Sequence, residues 1–196
     1  MSEPHRLQLG QPPHLLAIAG PNGAGKTTFY HSFIADTGFR LVNADVLAKQ
    51  LGLTPYAAAN VAAGIRKQLV KRKESFAFET VFSDPAGEKV QFLIDAAEAG
   101  YDVTLCFIGL ASAKLSETRV AMRVSQGGHD IPADKLKARY PRTMKNLKQA
   151  IEKLERVIVY DQSDLQNPFR CLARFEQGQP VFLAQSLPSW FLSANR

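Results

Sequence analysis

The stretch AIAGPNGAGKTT, residues 17–28, constrains this chain more than any other. It follows the apolar run His14–Ala19 and leads into a helical pattern. Gly20, four residues, Gly25, Lys26 and Thr27 match G-x-x-x-x-G-K-[ST]. Glycines there let backbone N–H groups turn inward onto phosphate oxygens with no Cβ in the way. A helix starting at Lys26 adds the positive end of its dipole. The expected nucleotide contacts are Gly20, Asn22, Gly23, Ala24, Gly25, Lys26, Thr27 and Thr28. Lys26 is placed to reach the β- and γ-phosphates, and the Thr27 hydroxyl to ligate Mg2+. The loop specifies a nucleoside triphosphate and no particular reaction.

Around this loop the chain alternates strand-like and helical runs. Strands are expected over 14–19, 39–43, 75–80, 102–108 and 157–161, apolar with little alternation, as in parallel strands buried on both faces. Helices are expected over 26–36, over 55–73 with Val61, Ile65 and Leu69 on one stripe, and over 85–99 with Gly100 as the residue that ends it. Repeated βα units of this kind imply an α/β fold of the P-loop NTPase type: about five parallel strands with helices on both faces. FRCLARFE-QGQ-PVFLAQ predicts a C-terminal β-hairpin that extends the sheet edge. Residues 1–13 read as a disordered lead-in to a single domain over 14–196.

Bulk properties narrow the class. The chain has 196 residues, 45% hydrophobic and 21% charged, ordinary for one globular domain. No apolar run reaches membrane length and the N-terminus has no signal-like core, so a cytoplasmic protein without a membrane partner is expected. Cys106 and Cys171 lie in apolar runs and read as buried, reduced thiols. A net charge of +6 favours polyanionic ligands.

Two acids flank the loop by topology. Asp45 follows the second strand and Glu79 ends the third, and ligands of open α/β sheets bind at those strand ends. Phosphoryl transfer needs a carboxylate to orient or deprotonate the acceptor hydroxyl, and often another near Mg2+. Asp45 also suits the N-cap of a helix 46–51, and Glu79 a strand-end salt bridge. Thr80, Ser83 and Asp84 read either as substrate hydrogen-bonders or as turn formers.

From 111 to 155 the pattern turns basic: two helices joined by GGHDIP, read as a mobile lid rather than core, with Pro141 kinking or splitting the second. Arg119, Arg123 and Gln126 share one helical face, and Arg139 and Arg142 lie three apart. Such arginines either grip phosphoryl oxygens or form a solvated basic face. His129 reads as a cap or hinge. Arg66, Lys67, Lys71, Arg72 and Lys73 read as an exposed helix face. Without interleaved aromatics they make a poor nucleic-acid platform.

GPNGAGKTT, the NAD of VNADVLA, FETVFSD and RVAMRVSQGGHDIPADKLKARYPRTMKNL together resemble the zeta-toxin family of small P-loop kinases, over about residues 14–161. The resemblance implies transfer of the ATP γ-phosphate to a hydroxyl of a UDP-linked amino sugar such as UDP-N-acetylglucosamine, and an antitoxin protein as partner. Lys26 and Thr27 would then contact ATP and Mg2+, Asp45 would be the general base, and Glu79 a substrate-site acid. Arg119 and Arg123, with Arg139 or Arg142, would act at the transition state. The alternatives are a kinase for another small metabolite, or an ATPase acting on nucleic acid or a protein. The ATPase usually carries an acid at the end of a core strand. Here the 102–108 strand ends in Ile108-Gly109-Leu110, and Asp161 follows the lid. A degenerate nucleotide-binding scaffold is disfavoured by intact Lys26, Thr27, Asp45 and Glu79.

Overall fold

A computed structural model describes residues 9–125, 127 and 131–194 of the chain. Gln126 and His129 therefore lie outside the described residues, as do residues 1–8 of the expected lead-in. The apolar runs form β1 (His14–Ala19), β2 (Arg40–Val42), β3 (Phe76–Thr80), β4 (Asp102–Gly109) and β5 (Arg156–Asp161), each parallel to its neighbours among these strands. The predicted hairpin, β6 (Arg170–Glu176) and β7 (Gln179–Leu183), adds antiparallel to β5. The result is one seven-stranded sheet in the order β2-β3-β1-β4-β5-β6-β7. Gln177 and Gly178 make the hairpin turn with φ of 50° and 78°.

Both faces of the sheet are covered, as uninterrupted apolar strands require. Leu15, Ala17 and Ala19 point to a core built with α3 (Pro55–Arg72), α4 (Glu88–Glu98), α6 (Ala133–Lys153) and α7 (Ser189–Ala194). Leu16 and Ile18 point the other way, where Phe29 of α1 (Lys26–Phe33) and Leu115 of α5 (Ala113–Ser125) cover them. The short α2 (Ala44–Leu51) packs beside α3. Gly100, at φ 87°, ends α4 as expected, its N–H donating to the Ala97 carbonyl. Cys106 and Cys171 are free and buried.

Four expectations are corrected by packing. Residues 9–13 are tied down rather than loose: the Gly10 N–H donates to Asp102 Oδ2 at 2.6 Å, and the Pro13 carbonyl accepts from Asp102 N–H at 2.9 Å. The buried stripe of α3 is Ala58, Ala62 and Leu69, leaving Val61 38% exposed, because the helix turns its small residues to the sheet. α6 is continuous through Pro141, so the helix is not split there. A proline inside a helix costs about 3 kcal/mol. Here that is offset by burial of Thr143, Asn146, Leu147, Ala150 and Ile151 along the same helix. For the same reason the second half of α6 is core, not mobile lid.

Candidate active site

The phosphate loop is shaped by its neighbours as much as by its own glycines. Gly20 has φ 144°, and a Cβ there would collide with the Ile108 carbonyl on β4. Gly23, at φ 75°, would bring a Cβ to 3.0 Å from Arg119 Cβ, so α5 passes directly over the loop. Gly25 precedes α1 at φ 78° with no side-chain cap, and the first turn of α1 carries no acid. Among the described residues no side chain caps the first N–H groups of that turn, an arrangement suited to an external anion.

Lys26 folds back on the loop, donating Nζ to the carbonyls of Gly20 at 3.0 Å and Pro21 at 2.9 Å. Desolvation lowers its pKa to about 8, against the pull of Glu79 and Asp45, while Arg123 pushes it further down. These three side chains thus share one electrostatic neighbourhood with Lys26. The Thr27 hydroxyl donates to Glu79 Oε2 at 3.1 Å, joining the loop to the end of β3. Ala24 is buried and Thr28 is exposed. Asn22 is spent on α5 and α6: its carbonyl accepts from Ser116 Oγ at 2.6 Å, and its Oδ1 from Arg139 Nη1 at 3.5 Å.

The acids sit where the topology put them. Parallel register pairs Ile18 with Glu79 and Ala19 with Thr80, so Glu79 flanks the loop entrance. Burial raises the Glu79 pKa, countered by Lys26 and by hydrogen bonds from Thr27 and Asn43. Among the described residues its buried Oε1 meets no well-formed hydrogen bond, and the same holds for Asp84 Oδ1. Glu79 makes no ion pair among the described residues, so the salt-bridge reading is set aside in favour of its bond to Thr27. Asp45 does not cap α2. Asn43 does, its Oδ1 accepting from the N–H groups of Asp45 at 2.8 Å and Val46 at 3.3 Å. A helix beginning at Ala44 places Asp45 in its first turn, exposed, and close enough to bias both Lys26 and Glu79. Thr80 Oγ1 accepts the Phe82 N–H at 3.1 Å, a turn-forming role, while Ser83 is half-buried beside it.

The basic helices separate their arginines. Arg119 lies against Gly23 and donates Nη2 to the Ser163 carbonyl at 3.1 Å, with burial lowering its pKa. Arg123 acts on Lys26 and Arg139 touches Asn22. Arg142 instead donates Nε to the Ala138 carbonyl of its own helix at 3.0 Å. Arg66 leaves the exposed face predicted for it: its guanidinium lies 4.9 Å from the centroid of the Phe78 ring and 5.6 Å from that of Phe92. Lys67, Lys71, Arg72 and Lys73 are exposed as expected.

Asp161 is structural. Its Oδ1 accepts from Ser163 Oγ at 2.6 Å and Trp190 Nε1 at 3.2 Å, and Arg170 lies 3.6 Å from Oδ2. Sequence reasoning missed Thr143 and Asn146, which are buried and bond the loop after β3. The signal was present: both polar residues lie on the stripe that continues as Leu147, Ala150 and Ile151.

Comparison with known proteins adds a family. The Zeta toxin family matches residues 43–168. The match begins at Asn43, after the phosphate loop, so loop and family are separate lines of argument. A protein of Haemophilus influenzae, described only as uncharacterized, is 31% identical over 126 residues, 62% of this chain and 88% of its own length. A crystal structure of AvrRxo1-ORF1:-ORF2 with ATP superposes with a TM-score of 0.69 at 18% identity, covering 88% of this chain. The present chain spans 61% of the length of that one. The PezAT chromosomal toxin-antitoxin system of Streptococcus pneumoniae gives a TM-score of 0.62 at 16% identity, covering 85% of this chain and 74% of that one. At such identities the structural likeness establishes the fold.

Proposed function

The chain belongs to the zeta toxin family, and we propose that it is an ATP-dependent kinase whose acceptor is a hydroxyl of a UDP-activated amino sugar such as UDP-N-acetylglucosamine. The carrying observation is the Thr27–Glu79 bond of 3.1 Å, which joins a phosphate loop to a half-buried acid while Lys26 and Asp45 share the same electrostatic neighbourhood.

In this reading the loop N–H groups and Lys26 hold the ATP phosphates, exchanging the loop carbonyls that Lys26 now contacts for phosphate oxygens. The hydroxyl of Thr27 and the carboxylate of Glu79 are hard oxygen donors, the set that Mg2+ prefers. Bound there, Mg2+ would neutralise charge on the β- and γ-phosphates. Asp45 takes the proton of the acceptor hydroxyl as its oxygen attacks the γ-phosphorus and the β–γ bridge oxygen departs with ADP. Arg119, Arg123 and Arg139 offset the charge on the transferring group. The structural likeness to AvrRxo1-ORF1:-ORF2 with ATP supports the nucleotide, and that to PezAT supports an antitoxin partner. An ATPase acting on nucleic acid or protein is less well supported, because Asp161 is committed to Ser163, Trp190 and Arg170.

The test is mass spectrometry after incubation with Mg-ATP and a panel of UDP-sugars, other nucleotides and small sugars. A UDP-sugar product about 80 Da heavier, one phosphoryl group, that disappears with Lys26→Ala supports the reading. ATP hydrolysis with no phosphorylated UDP-sugar removes that acceptor class.

A further inference from the structure

One helix spans the two sides of the crevice. α6 carries Arg139, which reaches Asn22 of the phosphate loop. One turn on, Thr143, fully buried, donates Oγ1 to the Val81 carbonyl at 2.9 Å. Asn146, 2% exposed, donates Nδ2 to the carbonyls of Phe82 and Asp84, each at 2.9 Å. Those carbonyls belong to the loop that leaves β3 directly after Glu79 and Thr80. The loop holds an unusual backbone: Phe82, buried, has φ 62°, a conformation that residues with a Cβ rarely adopt. Thr80 Oγ1 supports it from the strand side by accepting the Phe82 N–H.

Valine and leucine at 143 and 146 would continue the apolar stripe of α6 and fill the same core. Buried polar groups carry a desolvation cost that hydrogen bonds only partly return. Here the donors of both side chains go to one four-residue stretch of backbone, Val81–Asp84, just after Glu79. Strained backbone persists where surrounding bonds over-determine it.

We infer that Thr143 and Asn146 are positioning residues for phosphoryl transfer. They hold Val81–Asp84 in its strained form, so that Glu79 stays on Thr27 of the phosphate loop, and they tie the Val81–Asp84 loop to the helix carrying Arg139. They act through the Phe82 backbone and Glu79 and touch no reacting atom. The inference rests on the kinase reading above.

The test uses the full chain with Thr143→Val, Asn146→Asp and the conservative Thr143→Ser. Turnover of Mg-ATP is followed with UDP-N-acetylglucosamine as acceptor, or with water if the wild type does not phosphorylate that sugar. A fluorescent ATP analogue reports nucleotide affinity. Thr143→Val and Asn146→Asp are expected to lower kcat roughly 10- to 100-fold, since misplacement by an ångström costs about that much. ATP affinity should stay within about twofold, and Thr143→Ser should restore most of the rate. The inference is overturned if kcat per folded molecule is unchanged, or if ATP affinity falls in step with kcat. If Asn146→Asp does not fold, Thr143→Val and its Ser rescue decide the matter by the same criteria. A wild type that turns over ATP with neither acceptor sinks the kinase reading, and this inference with it. That failure shows in the wild type, not in the variants.

Discussion

Behind the phosphate loop the walls are firmly packed. Leu15 to Ala19 of β1 are fully buried, the Ile108 backbone lies against Gly20, and Asn22 is bonded from both α5 and α6. Across the crevice α2 buries none of its residues. Asp45 stands exposed on its first turn, and Val46, Leu51 and Tyr56 are exposed by 43%, 58% and 79%. In the proposed kinase the triphosphate is the same in every turnover, so its cradle can be built into the core and cost no reorganisation. The acceptor wall has a firm half, the α6-clamped loop after β3, and a lightly held half, the helix bearing the proposed base. Binding of the acceptor would complete that second half.

Substitutions in the two walls should separate these roles. The largest effect is expected from Asp45→Asn, which should cut phosphoryl transfer by roughly 10²- to 10⁴-fold. ATP affinity should be nearly unchanged; a large loss of affinity, read by nucleotide titration, would move Asp45 from base to Mg2+ or structural duty. Next, Arg139→Ala and Arg119→Ala should each lower kcat by about 10²-fold or more. Arg142→Ala should leave kcat within about twofold, because its guanidinium is turned onto its own helix. Equal effects at 139 and 142 would mean that the helix rotates during turnover.

Glycine substitutions compare the walls by stability alone. Gly20→Ala meets the Ile108 carbonyl and should cost about 3 kcal/mol. Gly52→Ala, at φ 62° with open space around it, should cost about 1 kcal/mol. Thermal melting distinguishes the two, and equal shifts would show that both walls are equally rigid.

The smallest effect concerns pH. The folded pKa of Lys26, about 8, lies below the 10.5 of a free lysine. Between those values the folded protein binds fewer protons than the unfolded chain, so this group makes stability rise with pH across that window. Below about pH 8 the cost of burying the ammonium is fully present. Lys26→Met should therefore raise the melting temperature near neutral pH. ATP phosphates favour the charged form, so ATP binding above pH 8 should take up protons. Calorimetry in buffers of different ionisation enthalpy would detect this, and its persistence in Lys26→Met would assign the uptake elsewhere.

What was legible in the chain follows from range. The loop, the start of α1 and the end of α4 depend on residues a few positions apart, and local geometry decides them. Asp45 and Glu79 were placeable because parallel sheets put ligands at strand ends. The arginines were legible only as a charge pattern. Whether 139 or 142 meets the loop depends on how α6 crosses it. Arg66 reads as surface by its charge, yet its spacing puts it on the Ala58–Ala62–Leu69 stripe, where Phe78 and Phe92 receive its guanidinium.

The sequence by itself determined the phosphate cradle, the parallel sheet and the two acids beside it, because spacing and apolar patterning act locally and repeat. Only the tertiary structure decided that Asn43 rather than Asp45 caps α2 and that α6 survives Pro141. It alone decided that Thr143 and Asn146 spend their donors on a strained loop some sixty residues away. Those outcomes turn on how buried groups from distant segments satisfy one another, and no local pattern encodes that balance.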